Sequence, residues 1–366
     1  MSHICYGLVM YKHSQSFSDF VTEALYSPNG YYRKKVDIGT KGDFYTSPSQ
    51  TPLFGRALAS SFSKTIIENK ILGEISLIEI APNDGSLMKD VLDFFLERHP
   101  EIYDRLIVYL VETNNSKKND ILIKLKKHKK RFSIKRSIAE VKTKTTGIIF
   151  CNELFDSLPF DRCVFRENKL YQINIRYDSN KKEPIPGSNI DGIKEYEEEA
   201  CKDLIKKVSM LKLKAKENFF FEFPNSKTTE YSYENFFDSV SKNFTRAFFL
   251  IIDYGNKSEF YNTTEDPFGT ARCFYKHKVS RNFYENIYSQ DITHDVNFSL
   301  LSQIATSYGF KELLFNSQSK FLIENNILDI YQSESKYMKK NSIERMKNLL
   351  LPNSMGEKFK ILLLTR

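Results

Sequence analysis

The feature that most constrains this chain is a repeated alternation. Short apolar runs of strand length are each followed by a polar turn and then a helical pattern. Ile75–Ile80 is the first such run; the turn Ala81-Pro82-Asn83-Asp84-Gly85 and a helical rhythm from Ser86 to about Glu97 follow. Leu106–Val111 is the second, ending at Glu112, with a Lys-rich helix behind it and a short strand near Phe132–Lys135. Gly147–Cys151 is the fourth, ending in Asn152-Glu153, and Ala247–Ile252 the fifth, ending in Asp253-Tyr254-Gly255. Runs without polar interruption belong to strands buried on both faces, and alternation with helices predicts a doubly wound, mostly parallel sheet.

The rhythm breaks between about residues 162 and 240. Cys163–Arg166 and Leu170–Ile175 read as a hairpin around Glu167-Asn168-Lys169, and a charged helix is expected near Ile193–Leu213. This stretch reads as an insertion. Phe310–Phe315 and Phe359–Thr365 supply the late strands. The expected division is an N-terminal extension over 1–70, a core over 71–160 and 243–366, and an inserted hairpin and helical segment over 161–242.

Composition excludes several classes. A 41% hydrophobic content supports a packed core, and a net charge of +8 over 366 residues is too mild to imply nucleic acid. The five cysteines, at 5, 151, 163, 201 and 273, form no C-x-x-C pair, so no disulfide framework or thiolate zinc site is expected. Met1–Met10 lacks the basic flank of a signal or transit peptide, and no apolar run reaches membrane-spanning length, so a cytoplasmic location is expected. The run Lys126-Lys127-His128-Lys129-Lys130-Arg131 reads as a solvated helix end, where cations suit the helix dipole.

In an open parallel sheet, ligands sit beyond the carboxyl ends of the strands. Here those ends carry Glu79 to Gly85, Glu112, Asn152-Glu153 and Asp253. A carboxylate ending the second strand can accept two hydrogen bonds from ribose hydroxyls, which points to a nucleoside cofactor. A dinucleotide is disfavoured: the first turn has Gly85 alone instead of G-x-G-x-x-G, and Asp84 would repel a pyrophosphate. The turn suits a cofactor without phosphate, such as S-adenosylmethionine.

Over nearly its whole length the chain resembles the MidA-type family of class I S-adenosylmethionine-dependent methyltransferases. The matching residues include Phe20–Tyr32, the Gly42-Asp43-Phe44-Tyr45-Thr46-Ser47 stretch, Glu79–Asp90, Asn152–Pro159, Asp253-Tyr254-Gly255, His277, Asp291-Ile292-Thr293 and Met355–Lys360. The resemblance implies a Rossmann-like fold with a seven-stranded sheet and an S-adenosyl-L-methionine cofactor. It also implies methyl transfer to a protein arginine, with a respiratory complex I subunit as candidate substrate. A non-catalytic assembly factor and a small-molecule or RNA methyltransferase stand as alternatives. Ala81 and Asn83 occupy positions where the family has glycine, and Asp295 stands where it has histidine. On this basis Gly85 and Leu87, with Glu79, Glu112 and Asn152, are expected to bind the cofactor. Gly42, Asp43 and Phe44 are expected to form a flap over it. Glu153 and Asp156 are the expected catalytic carboxylates, with Asp253 in reserve.

Overall fold

The computed structural model describes residues 14–34, 47–141, 143, 145–177, 193–210, 216–225, 229–263, 265–334 and 341–366. Its centre is a seven-stranded sheet: β1 (Ile75–Ile80), β2 (Leu106–Val111), β3 (Phe132–Lys135), β4 (Thr146–Asn152), β5 (Ala247–Asn256), β6 (Lys311–Ser317) and β7 (Phe359–Thr365). The spatial order is β6-β7-β5-β4-β1-β2-β3, with the two-residue strand Val296–Asn297 added beside the end of β5. Strands β3 to β5 run parallel through β2, β1 and β4, while β7 enters antiparallel between β5 and β6. This is the Rossmann-like class I methyltransferase arrangement. All six residues of β1 are buried, which is why its sequence reads as an apolar run carrying one buried serine and one buried glutamate.

Strand alternation sorts the core into two faces. Ile75, Leu77, Val108, Leu110, Ile148 and Phe150 pack towards helices α2 (Leu53–Glu68) and α3 (Ser86–Arg98). Ile78, Ile80, Ile149, Phe249 and Ile251 pack towards α4 (Tyr233–Asn243) and α5 (Phe298–Ser307). The approach of α2 to α3 requires a glycine: a β-carbon on Gly55 would lie 2.7 Å from that of Asp90. Helix α2 thus shares the apolar core of β1, although it falls within the first 70 residues.

The chain leaves the core at the carboxyl end of β4 and builds a second, antiparallel sheet before returning at β5. Phe160–Arg166 and Lys169–Tyr177 form the expected hairpin, flanked by Phe220–Pro224, Ser14–Ser16 and Ile193–Glu199. The expected charged helix is corrected here. Ile193–Glu199 is a strand, and among the described residues of this stretch the helix is Lys202–Ser209. Its glutamates are cross-sheet ion-pair partners: Glu195 meets Arg162 at 2.8 Å and Glu197 meets Arg166 at 2.7 Å. Both ion pairs reach across the intervening strand Lys169–Tyr177, which pairs with each of the two strands. Arg162 is buried, with its guanidinium 5.0–5.3 Å from the rings of Phe17, Phe220 and Phe283.

Helix α1 (Phe17–Tyr26) packs its apolar face against this sheet and against a three-stranded sheet of Arg272–Tyr275, Lys278–Ser280 and Asp291–Thr293. These layers sit over the carboxyl ends of the core strands and form the far wall of a cleft there. The basic run near residue 128 is anchored within the protein: Lys127 and His128 both close on Asp93, at 2.8 and 3.1 Å, and His128 also meets the Tyr103 hydroxyl. No helix among the described residues is long and apolar enough to cross a membrane.

Candidate active site

Glu79 lies one residue before the end of β1, between β2 and β4 in register with Leu110 and Phe150. It is buried, and its Oε2 has no hydrogen-bond partner among the described residues. Burial, followed by the nearby Asp84, pushes its pKa well above the ordinary glutamate range. The loop that follows turns through three left-handed residues, Ala81 (φ 56°), Asn83 (φ 52°) and Gly85 (φ 78°). Glycine adopts this region without steric cost; alanine does not. Asp84 fixes the loop to α3, accepting from the Ser86 N–H at 2.9 Å and the Ser86 hydroxyl at 2.8 Å, with Lys124 at 3.0 Å. Leu87 packs its side chain into the apolar core.

Glu112 follows β2 and is buried, accepting from the Asn114 N–H at 2.7 Å. Burial raises its pKa. Asn114 donates in turn to the Tyr32 carbonyl at 2.7 Å, tying the N-terminal segment to this strand end. Asn152 ends β4; its Nδ2 donates to Glu153 at 2.8 Å, while its Oδ1 is buried without a partner among the described residues. Glu79, Glu112 and Asn152 therefore end three adjacent strands on the same face, and two of them present unsatisfied acceptors. Gly42, Asp43 and Phe44 lie outside the described residues.

Beyond β4 the turn brings two carboxyl groups to a cleft of about 1300 Å³. Glu153 is half-buried in a left-handed conformation (φ 52°), and burial together with Asp156 pushes its pKa up to about 8. Asp156 is 4% exposed. It accepts a hydrogen bond from the Tyr254 hydroxyl, while its Oδ1 is buried without a partner among the described residues. Burial raises its pKa to about 6, against the opposing pull of Tyr254 and Arg272. Asp253 is fully buried and occupied elsewhere: it accepts the backbone N–H groups of Phe155, Asp156 and Tyr254 at 2.9, 3.2 and 3.0 Å. It pins the turn that presents Glu153 and Asp156 and does not line the cleft.

Three further residues line the cleft without having been assigned a role from sequence. Tyr32 donates to Asp291 at 2.8 Å. Arg272 pairs with Asp295 at 2.7 Å, with its guanidinium 4.8 Å from the Tyr254 ring. Tyr32 and Asp291 lie in stretches that match the family, so motif order contained a signal; Arg272 lies outside them. His277 lines the cleft from the tip of a hairpin. His294 is instead buried edge-on against Phe160, and burial lowers its pKa to about 4. Among the described residues no cluster of ligands suits a metal ion.

Residues 53–315 match the model of a family described as "Putative S-adenosyl-L-methionine-dependent methyltransferase". Among individual proteins, the chain is 33% identical over 79 residues to the mitochondrial protein arginine methyltransferase NDUFAF7 of Bos taurus, a match covering 21% of this chain and 18% of that protein. It is 37% identical over 82 residues to the Danio rerio protein of the same name, covering 22% and 19%. These stretches span under a fifth of the relatives' own length. A Burkholderia thailandensis structure bound to S-adenosyl-homocysteine superposes with a TM-score of 0.80 at 20% identity, covering 97% of this chain and 88% of that one. It shares the fold. The strand-end residues fit such a cofactor. Glu79 and Asn152 hold buried acceptors without partners among the described residues, and a buried carboxyl at Glu112 suits paired hydroxyl donors.

Proposed function

The chain belongs to this family of S-adenosyl-L-methionine-dependent methyltransferases, and we propose that it methylates a guanidinium nitrogen of arginine in a protein substrate. When bound, the cofactor supplies a methyl group on a positively charged sulfur. In this reading Glu79 and Asn152 hold the methionine end of the cofactor and Glu112 holds its ribose hydroxyls, with Gly85 and Leu87 shaping the turn beside them. Glu153 and Asp156 hold the guanidinium, so that its nitrogen faces the methyl group in line with the bond that breaks. Proximity and orientation are the chief levers in such a transfer.

The observation that carries the reading is the buried Oδ1 of Asp156, without a partner among the described residues, beside Glu153 in the cleft. Two carboxyl groups are held near each other with raised pKa values, and the one cation that acts on Asp156, Arg272, is itself paired with Asp295. A guanidinium supplies planar paired donors that match carboxylates. Its arrival favours the ionised form of Glu153, so the carboxyl proton leaves as substrate binds. After transfer the methylated nitrogen sheds a proton, and Glu153 is the nearest acceptor in this arrangement. The names of the partial relatives support arginine as the target. The left-handed backbone retained at Ala81 and Asn83 gives no support to a non-catalytic role.

The test is transfer of labelled methyl groups from S-adenosylmethionine to arginine-containing peptides and to complex I subunits, followed by hydrolysis and amino-acid analysis. Label in methylarginine is the expected result. Label confined to another residue, or to RNA, removes the arginine reading while leaving the family assignment intact.

A further inference from the structure

The turn after β4 is tied to β5 twice, by neighbouring residues with different targets. Asp253 accepts the N–H groups of Phe155 and Asp156, which fixes the main chain of the turn. Tyr254 donates its hydroxyl to Oδ2 of Asp156, which meets the side chain. The first tie already joins the turn to the sheet. The second adds little to the fold, and its effect falls on the direction of the Asp156 carboxyl group.

The tyrosine is itself held from two sides. Its ring meets the Phe359 ring edge-on, with centroids 5.6 Å apart at 88°, across the pairing of β5 with β7. The Arg272 guanidinium lies 4.8 Å from the ring centre, within the range of a cation–π contact. That guanidinium is engaged elsewhere. It donates to the Thr270 carbonyl at 2.9 Å and pairs with Asp295 at 2.7 Å, and among the described residues no ion pair joins it to Asp156. A cation thus braces the tyrosine without taking the carboxyl group. Tyr254, Arg272 and Phe359 all line the same cleft as Asp156. Burial, followed by the charge of Asp156, holds the Tyr254 pKa well above the ordinary tyrosine range, so the hydroxyl stays a donor.

We infer that Tyr254 is a positioning residue for methyl transfer: its hydroxyl, bound to Oδ2 of Asp156, fixes the carboxyl group in the orientation that leaves Oδ1 to the substrate. This rests on the role proposed above for Asp156 in holding the guanidinium. The terminal torsion of an aspartate is broad, so a carboxyl group without a fixed partner presents a spread of directions. A hydrogen bond from a hydroxyl to a carboxylate is short and directional, and it narrows that spread. Transfer is steeply sensitive to alignment, where a misplacement of about 1 Å can cost about 100-fold. Tyr254 is assigned no contact with the reacting nitrogen; it acts through Asp156.

The test is Tyr254→Phe, which deletes the hydroxyl and keeps the ring against Phe359 and Arg272. It is made in the wild-type chain and in Asp156→Ala. All four proteins are assayed by transfer of labelled methyl groups from S-adenosylmethionine to arginine-containing peptides, with thermal unfolding as the check on folding. Asp156→Ser completes the set if the alanine variant does not fold. In the wild-type background kcat/KM for the peptide should fall at least about tenfold, the scale of a hydrogen bond to a charged group. Affinity for S-adenosylmethionine, read by calorimetry, should stay within a few-fold. In the Asp156→Ala background the same replacement should change kcat/KM by less than about twofold, because no carboxyl group is left to orient. Unchanged kcat/KM in Tyr254→Phe overturns the inference. Equal losses in both backgrounds also overturn it, since the hydroxyl would then act independently of Asp156. Full activity in Asp156→Ala removes the role of Asp156 and this inference with it, while arginine stands as the target. A wild type that labels no arginine peptide overturns both the arginine reading and the inference.

Discussion

The two loops that leave β1 and β4 solve their tasks in opposite ways. The loop after β1 holds its shape through backbone: three left-handed residues in alternation, two of them not glycine. What it offers a ligand is largely main chain, backed by the buried Glu79. The turn after β4 works through side chains. Its backbone is pinned from below by Asp253, so that Glu153 and Asp156 stand at the cleft with their ionisation displaced by burial. The comparison teaches which changes each loop should tolerate. Substitutions that keep φ should be mild in the first. Substitutions that keep volume but remove charge should be severe in the second.

The sharpest way to break that contrast is Glu153→Gln. The amide keeps size and loses charge, so the transfer rate should fall by at least about 100-fold, the scale of removing one charge-stabilising group from a site. Cofactor affinity should stay within a few-fold. Parallel methyl-transfer assay and calorimetric titration of the same variant check both. Equal rates for variant and wild type would remove Glu153 from the proposal and promote Asp156.

Glu112→Ala tests the cofactor side. Removing the carboxylate leaves ribose hydroxyls without their charged acceptor and should weaken S-adenosylmethionine binding by about 1–3 kcal/mol. Titration that shows unchanged affinity would refute the ribose assignment.

The raised pKa of Glu153 gives a pH dependence with a definite sign. In the free enzyme the carboxyl keeps its proton up to about pH 8. At low substrate concentration, transfer should therefore rise with pH through that region, and Glu153→Gln should lose this limb. Stability should move the other way. From the ordinary glutamate range up to about 8 the folded state binds the proton and the unfolded chain does not, so stability declines as pH rises across that window. Thermal unfolding of wild type against Glu153→Gln should show the steeper fall in the wild type. Parallel curves would place the displaced ionisation elsewhere.

How much of this was legible depends on where the forces lie. β1 and β2 read at their observed limits, because strands buried on both faces leave an apolar record. Ile193–Glu199 read as a helix, because its glutamates pair with Arg162 and Arg166 two strands away and ion pairs across a sheet leave no period-two apolar signal. The same limit applies to the cleft. Glu153 and Asp156 could be picked out from their place after a strand. Arg272 acquires its position over Tyr254 only when the hairpin folds back on the end of β5, a contact no local pattern encodes. Asp253 stood in reserve on its sequence position alone, and strand alternation turns it to the opposite face from Tyr254.

The smallest effect sharpens the first half of the comparison. Ala81 is exposed, and its N–H donates to Val111 at 3.0 Å, so the backbone at φ 56° is held by pairing with β2 and not by its methyl group. A left-handed alanine costs about 1–2 kcal/mol. Glycine removes that cost and adds about 0.4–1 kcal/mol of chain entropy to the unfolded state. Ala81→Gly should therefore stabilise the fold by between zero and about 1.6 kcal/mol by this balance. Asn83→Gly should gain less, since asparagine tolerates this region better than alanine. Neither should weaken cofactor binding, and removing the Ala81 methyl should strengthen it slightly if the cofactor lies against the loop backbone. Denaturant titration read beside calorimetry decides. A loss of more than about 1 kcal/mol of stability in Ala81→Gly, beyond the entropy cost of glycine, would mean the methyl packs against something. A large loss of affinity in Asn83→Gly would mean the amide itself touches the ligand, and the loop would then work through its side chains as the turn after β4 does.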